Sequence, residues 1–113
     1  MGNVIYIDDE QGKKRVMNNG KLYAKLLTKF KSDTNMNALL THIDTQEWEK
    51  AQNAAHALKG LAANLSLTKL FNQSLDVETQ IKGKSVKPES IENLKACYTE
   101  TLIQMDKVIA ENA

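Results

Sequence analysis

The chain is predicted to be all-α: an antiparallel four-helix bundle with an additional short N-terminal helix. Three observations lead there. Apolar residues recur at helical spacing from Leu22 to Ile109, only one proline interrupts 113 residues, and the breaks between periodic stretches are short and polar. A chain of 113 residues has room for one core, so residues 1–113 are expected to form a single domain.

The elements follow in order. Asn3-Val4-Ile5-Tyr6-Ile7, ending in Asp8, Asp9 and Glu10, has the look of the first strand of a receiver domain, where paired acids hold magnesium. A receiver needs further parallel strands, and everything downstream has helical period. The stretch is therefore read as a lead-in to a short first helix, with the three acids at its positive N-terminal end. Asn18-Asn19-Gly20 breaks that helix. The next starts near Lys21 and carries Leu22, Tyr23, Leu26, Leu27 and Phe30, with Lys21, Lys25, Lys29 and Lys31 read as a solvated face. A turn at Asp33-Thr34-Asn35 precedes a short helical piece from Asn37 to Ile43. Asp44 and Glu47 have the spacing of a capping box for the central helix, with Trp48 as its early anchor and an end near Leu65. Ser66 and Thr68 end that helix and cap the next, which runs from Thr68 to Lys82, buries Leu70, Phe71, Leu75, Val77 and Ile81, and stops at Gly83. Pro88 suits the first position of a last helix reaching Glu111, with Ile91, Leu94, Tyr98, Leu102, Met105, Val108 and Ile109 on its inner face.

Composition excludes several function classes. A formal net charge of +1 gives no field to gather nucleic acid or an anionic membrane. The lone Cys97 forms no internal disulfide and no zinc cluster. No apolar run approaches the roughly 18 residues of a membrane span, and no secretion signal is evident. Met1-Gly2 suggests myristoylation, but Tyr6 stands where that motif requires Ser or Thr. A cytoplasmic location is expected.

Chemistry is concentrated on the central helix. Projected at about 100° per residue, Ala51, Ala54, Ala55, Leu58, Leu61, Ala62 and Leu65 form one core-facing arc, with His56, Gly60 and Ala63 roughly opposite. That outer face lacks the bulky polar residues of a solvated helix. Gly60 in a helix interior costs about 1 kcal/mol relative to Ala, so its place one turn after His56 points to a surface that another molecule approaches closely. Lys59 is a surface neighbour of His56 and within reach of an anion on the imidazole. A lone helical histidine is ordinarily scaffold. Joined to a cation and a bare patch, His56 reads as a phosphorylated histidine shown to a partner.

His56-Ala57-Leu58-Lys59-Gly60, followed by Ala62-Ala63-Asn64-Leu65, resembles the core of the histidine-containing phosphotransfer (HPt) domains of multistep phosphorelays, whose pattern is His-x-Leu-Lys-Gly with small residues after it. The resemblance extends from about Ile5 to Met105. It implies a phosphocarrier in two-component signalling: His56 takes a phosphoryl group from a receiver-domain aspartate or a cognate sensor or hybrid histidine kinase and passes it to another receiver. It implies no turnover enzyme and no cofactor, magnesium being supplied by the receiver. By the same resemblance Glu78 hydrogen-bonds His56, Lys59 steadies the phosphoryl oxygens, Gly60 admits the partner, and Asn53, Ala57, Ala63 and Asn64 line the docking face. A shuttling carrier is expected to be a monomer. Two departures stand out: Ser66-Leu67 where many members have Gly-Ala, and Leu61 where a small residue is usual. They argue for altered partner preference rather than lost phosphotransfer.

Two rivals accompany this reading. A non-catalytic helical adaptor would dock signalling proteins through the same face, but docking alone does not require a reactive imidazole. A metal-binding bundle would use His56 with His42, yet no paired His/Glu ligand spacing supports it. Without the resemblance, Glu78 would be read as a surface partner of Lys82.

Overall fold

Asp8 and Asn19 start the first two helices by the same device: each side chain accepts a hydrogen bond from the backbone N–H three residues on, at 3.1 Å from Gln11 and 3.0 Å from Leu22. The computed structural model describes residues 5–112. The Met1-Gly2 motif and the Asn3-Val4 start of the lead-in lie outside the described residues. The helices are α1 (Asp9–Lys14), α2 (Gly20–Phe30), α3 (Asn35–Asp44), α4 (Trp48–Asn64), α5 (Thr68–Lys82) and α6 (Pro88–Asn112), and no described residue is in a strand. None of these helices is long and apolar enough to cross a membrane.

The connections 45–47, 65–67 and 83–87 are too short for anything but antiparallel neighbours, so α3, α4, α5 and α6 pack in sequence, and α2 closes against α6. Leu27, Leu39, Leu58, Leu67, Leu70, Leu94 and Met105 are fully buried in one continuous core. At about 25 cal/mol per Å² of apolar surface, each such leucine contributes on the order of 2 kcal/mol. The inner face of α6 also includes Cys97, which is buried, and Thr101, whose hydroxyl donates to the Cys97 carbonyl at 2.7 Å. Burial pushes the Cys97 thiol up.

α1 is held over the α4–α5 turn. The Asp8 N–H donates to the Ser66 carbonyl at 2.9 Å, and the Ser66 hydroxyl bonds Gln11 Oε1 at 3.1 Å. Tyr23 of α2 donates its hydroxyl to the Leu65 carbonyl at 2.7 Å. Burial, reinforced by Asp9 and Asp8, pushes its pKa upward and keeps it a donor. Gly12 permits this arrangement, because a Cβ there would stand 2.4 Å from the Tyr23 ring.

Three sequence readings need correction. Asp44 and Glu47 form no capping box: Asp44 still belongs to α3, and the Glu47 carboxylate is engaged by Thr45 Oγ1 at 2.7 Å, Lys50 Nζ at 3.1 Å and His42 Nδ1 at 3.2 Å. Those hydrogen bonds hold the Glu47 carboxyl down at about 2. Thr68 does not cap α5 but is its first residue, following Leu67, which offers no side-chain cap, and Ser66 turns the chain between the helices in the left-handed region at φ 58°. Leu75 faces solvent and Ser74 is buried in its place, since the inner stripe of α5 runs through Leu70, Ser74, Val77, Glu78 and Ile81. Leu22 also faces out, one step round from the buried Tyr23.

Candidate functional site

The arc read on α4 is the buried one: Ala51, Ala54, Ala55, Leu58, Ala62 and Leu65 are in the core, and Leu61 is half-buried at its edge. Burying that arc turns residues 53, 56, 57, 60 and 64 to solvent, with Ala63 half-buried beside them. Asn53, Ala57, Gly60, Ala63 and Asn64 thus form one low stripe around His56, whose side chain is 73% exposed. A Cβ built on Gly60 meets no atom within 4 Å, so no contact among the described residues accounts for the glycine.

Beneath the stripe, α5 places an acid on its inner face. The Glu78 side chain is only 5% exposed, and a carboxylate so placed requires partners. It has two, both from α4. Lys59 Nζ donates to Oε1 at 2.7 Å, and His56 Nδ1 lies 3.2 Å from Oε2. The two donors are three residues apart, so one turn of α4 presents both to the same side chain across the helix interface. Burial pushes the Glu78 carboxyl up, but the hydrogen bonds and charges of Lys59 and His56 outweigh it and hold the group below the usual carboxylate range. An ionised carboxylate only accepts, so Nδ1 carries the hydrogen and the lone pair lies on Nε2.

The arrangement can therefore present one nucleophilic nitrogen to solvent, with its tautomer set from behind and a cation alongside. His42 is engaged with Glu47 on the α3–α4 turn, remote in sequence from this cluster. Among the described residues, no three His, Cys, Asp or Glu side chains converge as a metal site.

The Hpt domain family model matches residues 26–104, from within α2 to within α6. The chain belongs to the Hpt family. Hpt domains are phosphocarriers of two-component phosphorelays rather than classical enzymes, and they interact with receiver domains and histidine kinases. No curated protein and no solved structure gives a significant match to this Hpt domain. The match leaves α1 and the start of α2 outside it, including the contacts of Gln11, Gly12 and Tyr23. Sequence reading alone missed those contacts, and it missed a groove lined by Arg15, Leu26, Lys29 and Leu61, because both join segments far apart in the chain.

Proposed function

We propose that His56 is the phospho-acceptor of this phosphocarrier, with Glu78 as its positioning residue, Lys59 as the cation that steadies the phosphoryl oxygens, and the α4 stripe of Asn53, Ala57, Gly60, Ala63 and Asn64 as the surface a receiver meets. The observation that carries the reading is the exposed imidazole whose Nδ1 is held by a buried carboxylate, which leaves Nε2 free to attack.

In the forward step Nε2 attacks the phosphorus of the receiver's aspartyl phosphate. The Nε2–P bond forms as the acyl O–P bond breaks, and the electron pair of that bond stays with the departing aspartate carboxylate. The ring then carries a positive charge with its hydrogen still on Nδ1, facing the Glu78 carboxylate. Transfer to the next receiver reverses these steps, returning the pair to Nε2. Phosphoryl transfer depends chiefly on alignment and on neutralising the phosphoryl oxygens. The receiver brings the aspartate and its magnesium, while this chain supplies the imidazole, the Lys59 ammonium beside it and the clearance at Gly60. No cofactor of its own enters the scheme. A monomer acting in the cytoplasm fits a carrier that shuttles between partners.

The test is incubation with a phosphorylated receiver domain and magnesium, followed by mass analysis of the intact protein and of the peptide containing His56. An acid-labile phosphoryl group on His56, absent in His56→Gln while receiver binding persists, is expected. Binding by competent donors with no uptake would instead identify a docking adaptor.

A further inference from the structure

Beside the stripe lies a groove of about 770 Å³ between the α1–α2 segment and the C-terminal half of α4. Val16, Leu26 and Leu61 line it, Arg15 and Lys29 are its cations, and Asn64 belongs both to it and to the stripe. Leu61 follows Gly60 directly, so the groove adjoins the proposed docking face. Arg15 also borders a second hollow shared with Ala63, which brings the cation to the stripe from the other side.

We propose that this groove is a specificity-determining extension of the docking face, occupied by an acidic edge of the receiver that exchanges the phosphoryl group with His56. The inference rests on the carrier reading above. The groove is continuous with the docking face: a body seated over His56 and Gly60 reaches Leu61 and Asn64 within one further turn of α4. Its charge favours the same occupant. Arg15 and Lys29 are exposed, and among the described residues neither has a carboxylate partner. Asp33 is the acid in the lining, bonded by the backbone N–H and side-chain amide of Asn35, each at 2.9 Å, which leaves the lining with two cations to one anion. Two cations without a carboxylate partner on an apolar groove suit an acidic edge of the receiver, one lying beyond the acids that hold its magnesium over His56. Arg15 and Val16 come from the α1–α2 connection, so this wall joins the docking face from a different segment of the chain, and a wall at the margin of a docking face is where discrimination between otherwise similar receivers belongs. The bulky Leu61 acquires a role on this view as the apolar floor between that wall and α4.

The experiment separates loading from docking. Wild type, Arg15→Glu/Lys29→Glu and the control Lys95→Glu/Lys107→Glu on α6 are phosphorylated with potassium phosphoramidate. Its N–P bond breaks as the Nε2–P bond forms, releasing ammonia. The loaded proteins are then mixed with magnesium and purified receiver domains from the same cell, one at a time, and transfer is followed against receiver concentration. Loading is expected to be alike in all three. For the groove variant, kcat/KM with the preferred receiver is expected to fall about tenfold through KM, with a flatter salt dependence, while the α6 control changes by no more than about twofold. Equal transfer by wild type and the groove variant, or equal slowing of both variants, overturns the proposal and leaves the carrier reading intact. A concentration-dependent dimer, lost only in the groove variant, would assign the groove to a second copy of the chain and also overturn it. Absence of phosphoryl on His56, or of transfer from wild type to every receiver, would instead refute the carrier reading itself.

Discussion

Replacing Glu78 with Gln tests the site at its most constrained point. The carboxylate offers one oxygen to Lys59 at 2.7 Å and the other to His56 Nδ1 at 3.2 Å. An amide of the same shape has a single acceptor. If its oxygen keeps Lys59, its NH₂ faces Nδ1 and favours the tautomer with hydrogen on Nε2, which removes the reactive lone pair. If the oxygen keeps His56, the NH₂ faces an ammonium and Lys59 must move to solvent. The Lys59 side chain is only 21% exposed against 73% for His56, so the lysine bond is the stronger and the first arrangement prevails. Losing the charge and one charge-assisted bond costs about 1–2 kcal/mol at pH 7, at the low end of the usual range because water reaches the histidine. In a domain of this size that lowers Tm by about 4–8 °C.

The sign of the pH dependence follows from the direction of the shift. Glu78 is held below its ordinary range when folded, so its contribution is complete above the unfolded carboxyl pKa of about 4.3 and disappears as pH falls through the folded value. Melting curves followed by circular dichroism should therefore show a gap between wild type and Glu78→Gln at pH 7 that closes in acid. Phosphoryl uptake should slow by about tenfold or more, the usual effect of losing a group that orients a reactive imidazole. A gap that is absent at pH 7, or that persists unchanged into strong acid, would refute the two-acceptor argument. Undiminished uptake would refute the tautomer argument separately.

Two glycine substitutions have opposite expected signs. Gly60→Ala should stabilise the fold by about 0.4–1 kcal/mol in thermal melts, because the new methyl enters open space on a helix, while slowing transfer to a receiver; a lowered Tm would show that the position is crowded after all. Gly12→Ala should destabilise by about 1–3 kcal/mol in urea titrations, because its Cβ would lie 2.4 Å from the Tyr23 ring, and unchanged stability would mean that α1 is not docked as described.

How far the sequence could be read depended on whether the deciding contact was local. The inner arc of α4 is fixed by a repeat within one helix, and six of its seven residues are buried with Leu61 at the margin. The ends of α5 and the start of α6 at Pro88 were legible for the same reason. Glu47 failed as a cap because Thr45, Lys50 and His42 claim its carboxylate, and the His42 contact becomes visible only when α3 and α4 are joined. Leu75 failed because hydrophobicity favoured it over Ser74, whereas the rotation of α5 is set by packing against α4 and α6. Glu78 is the instructive case. Its neighbours Leu70, Val77 and Ile81 already define the inner stripe, so an acid at that register was itself a sign of a buried partner. The resemblance supplied the role first, but the periodicity alone would have displaced the alternative pairing with Lys82.

Ser66, where the resemblance leads to a glycine, carries two opposed structural effects. At φ 58° it occupies the region where glycine is at ease and serine is strained by about 1–2 kcal/mol. A glycine there would remove the strain and also the hydroxyl that bonds Gln11 and so ties α1 to the α4–α5 turn. Since that hydrogen bond contributes about 0.5–1.5 kcal/mol, the two effects nearly cancel, and Ser66→Gly should leave global stability within about 1 kcal/mol of wild type. What it should change is local. The amide hydrogens of Gly12 and Arg15, bonded to the carbonyls of Asp8 and Gln11, should exchange faster as α1 loosens, while those in the middle of α4 do not. Unaltered exchange in α1 would mean that the Asp8 N–H to Ser66 carbonyl bond and the Gly12–Tyr23 contact hold the helix without the hydroxyl. Faster exchange would connect the departure to the groove, because the helix that Ser66 anchors ends at Lys14, immediately before Arg15.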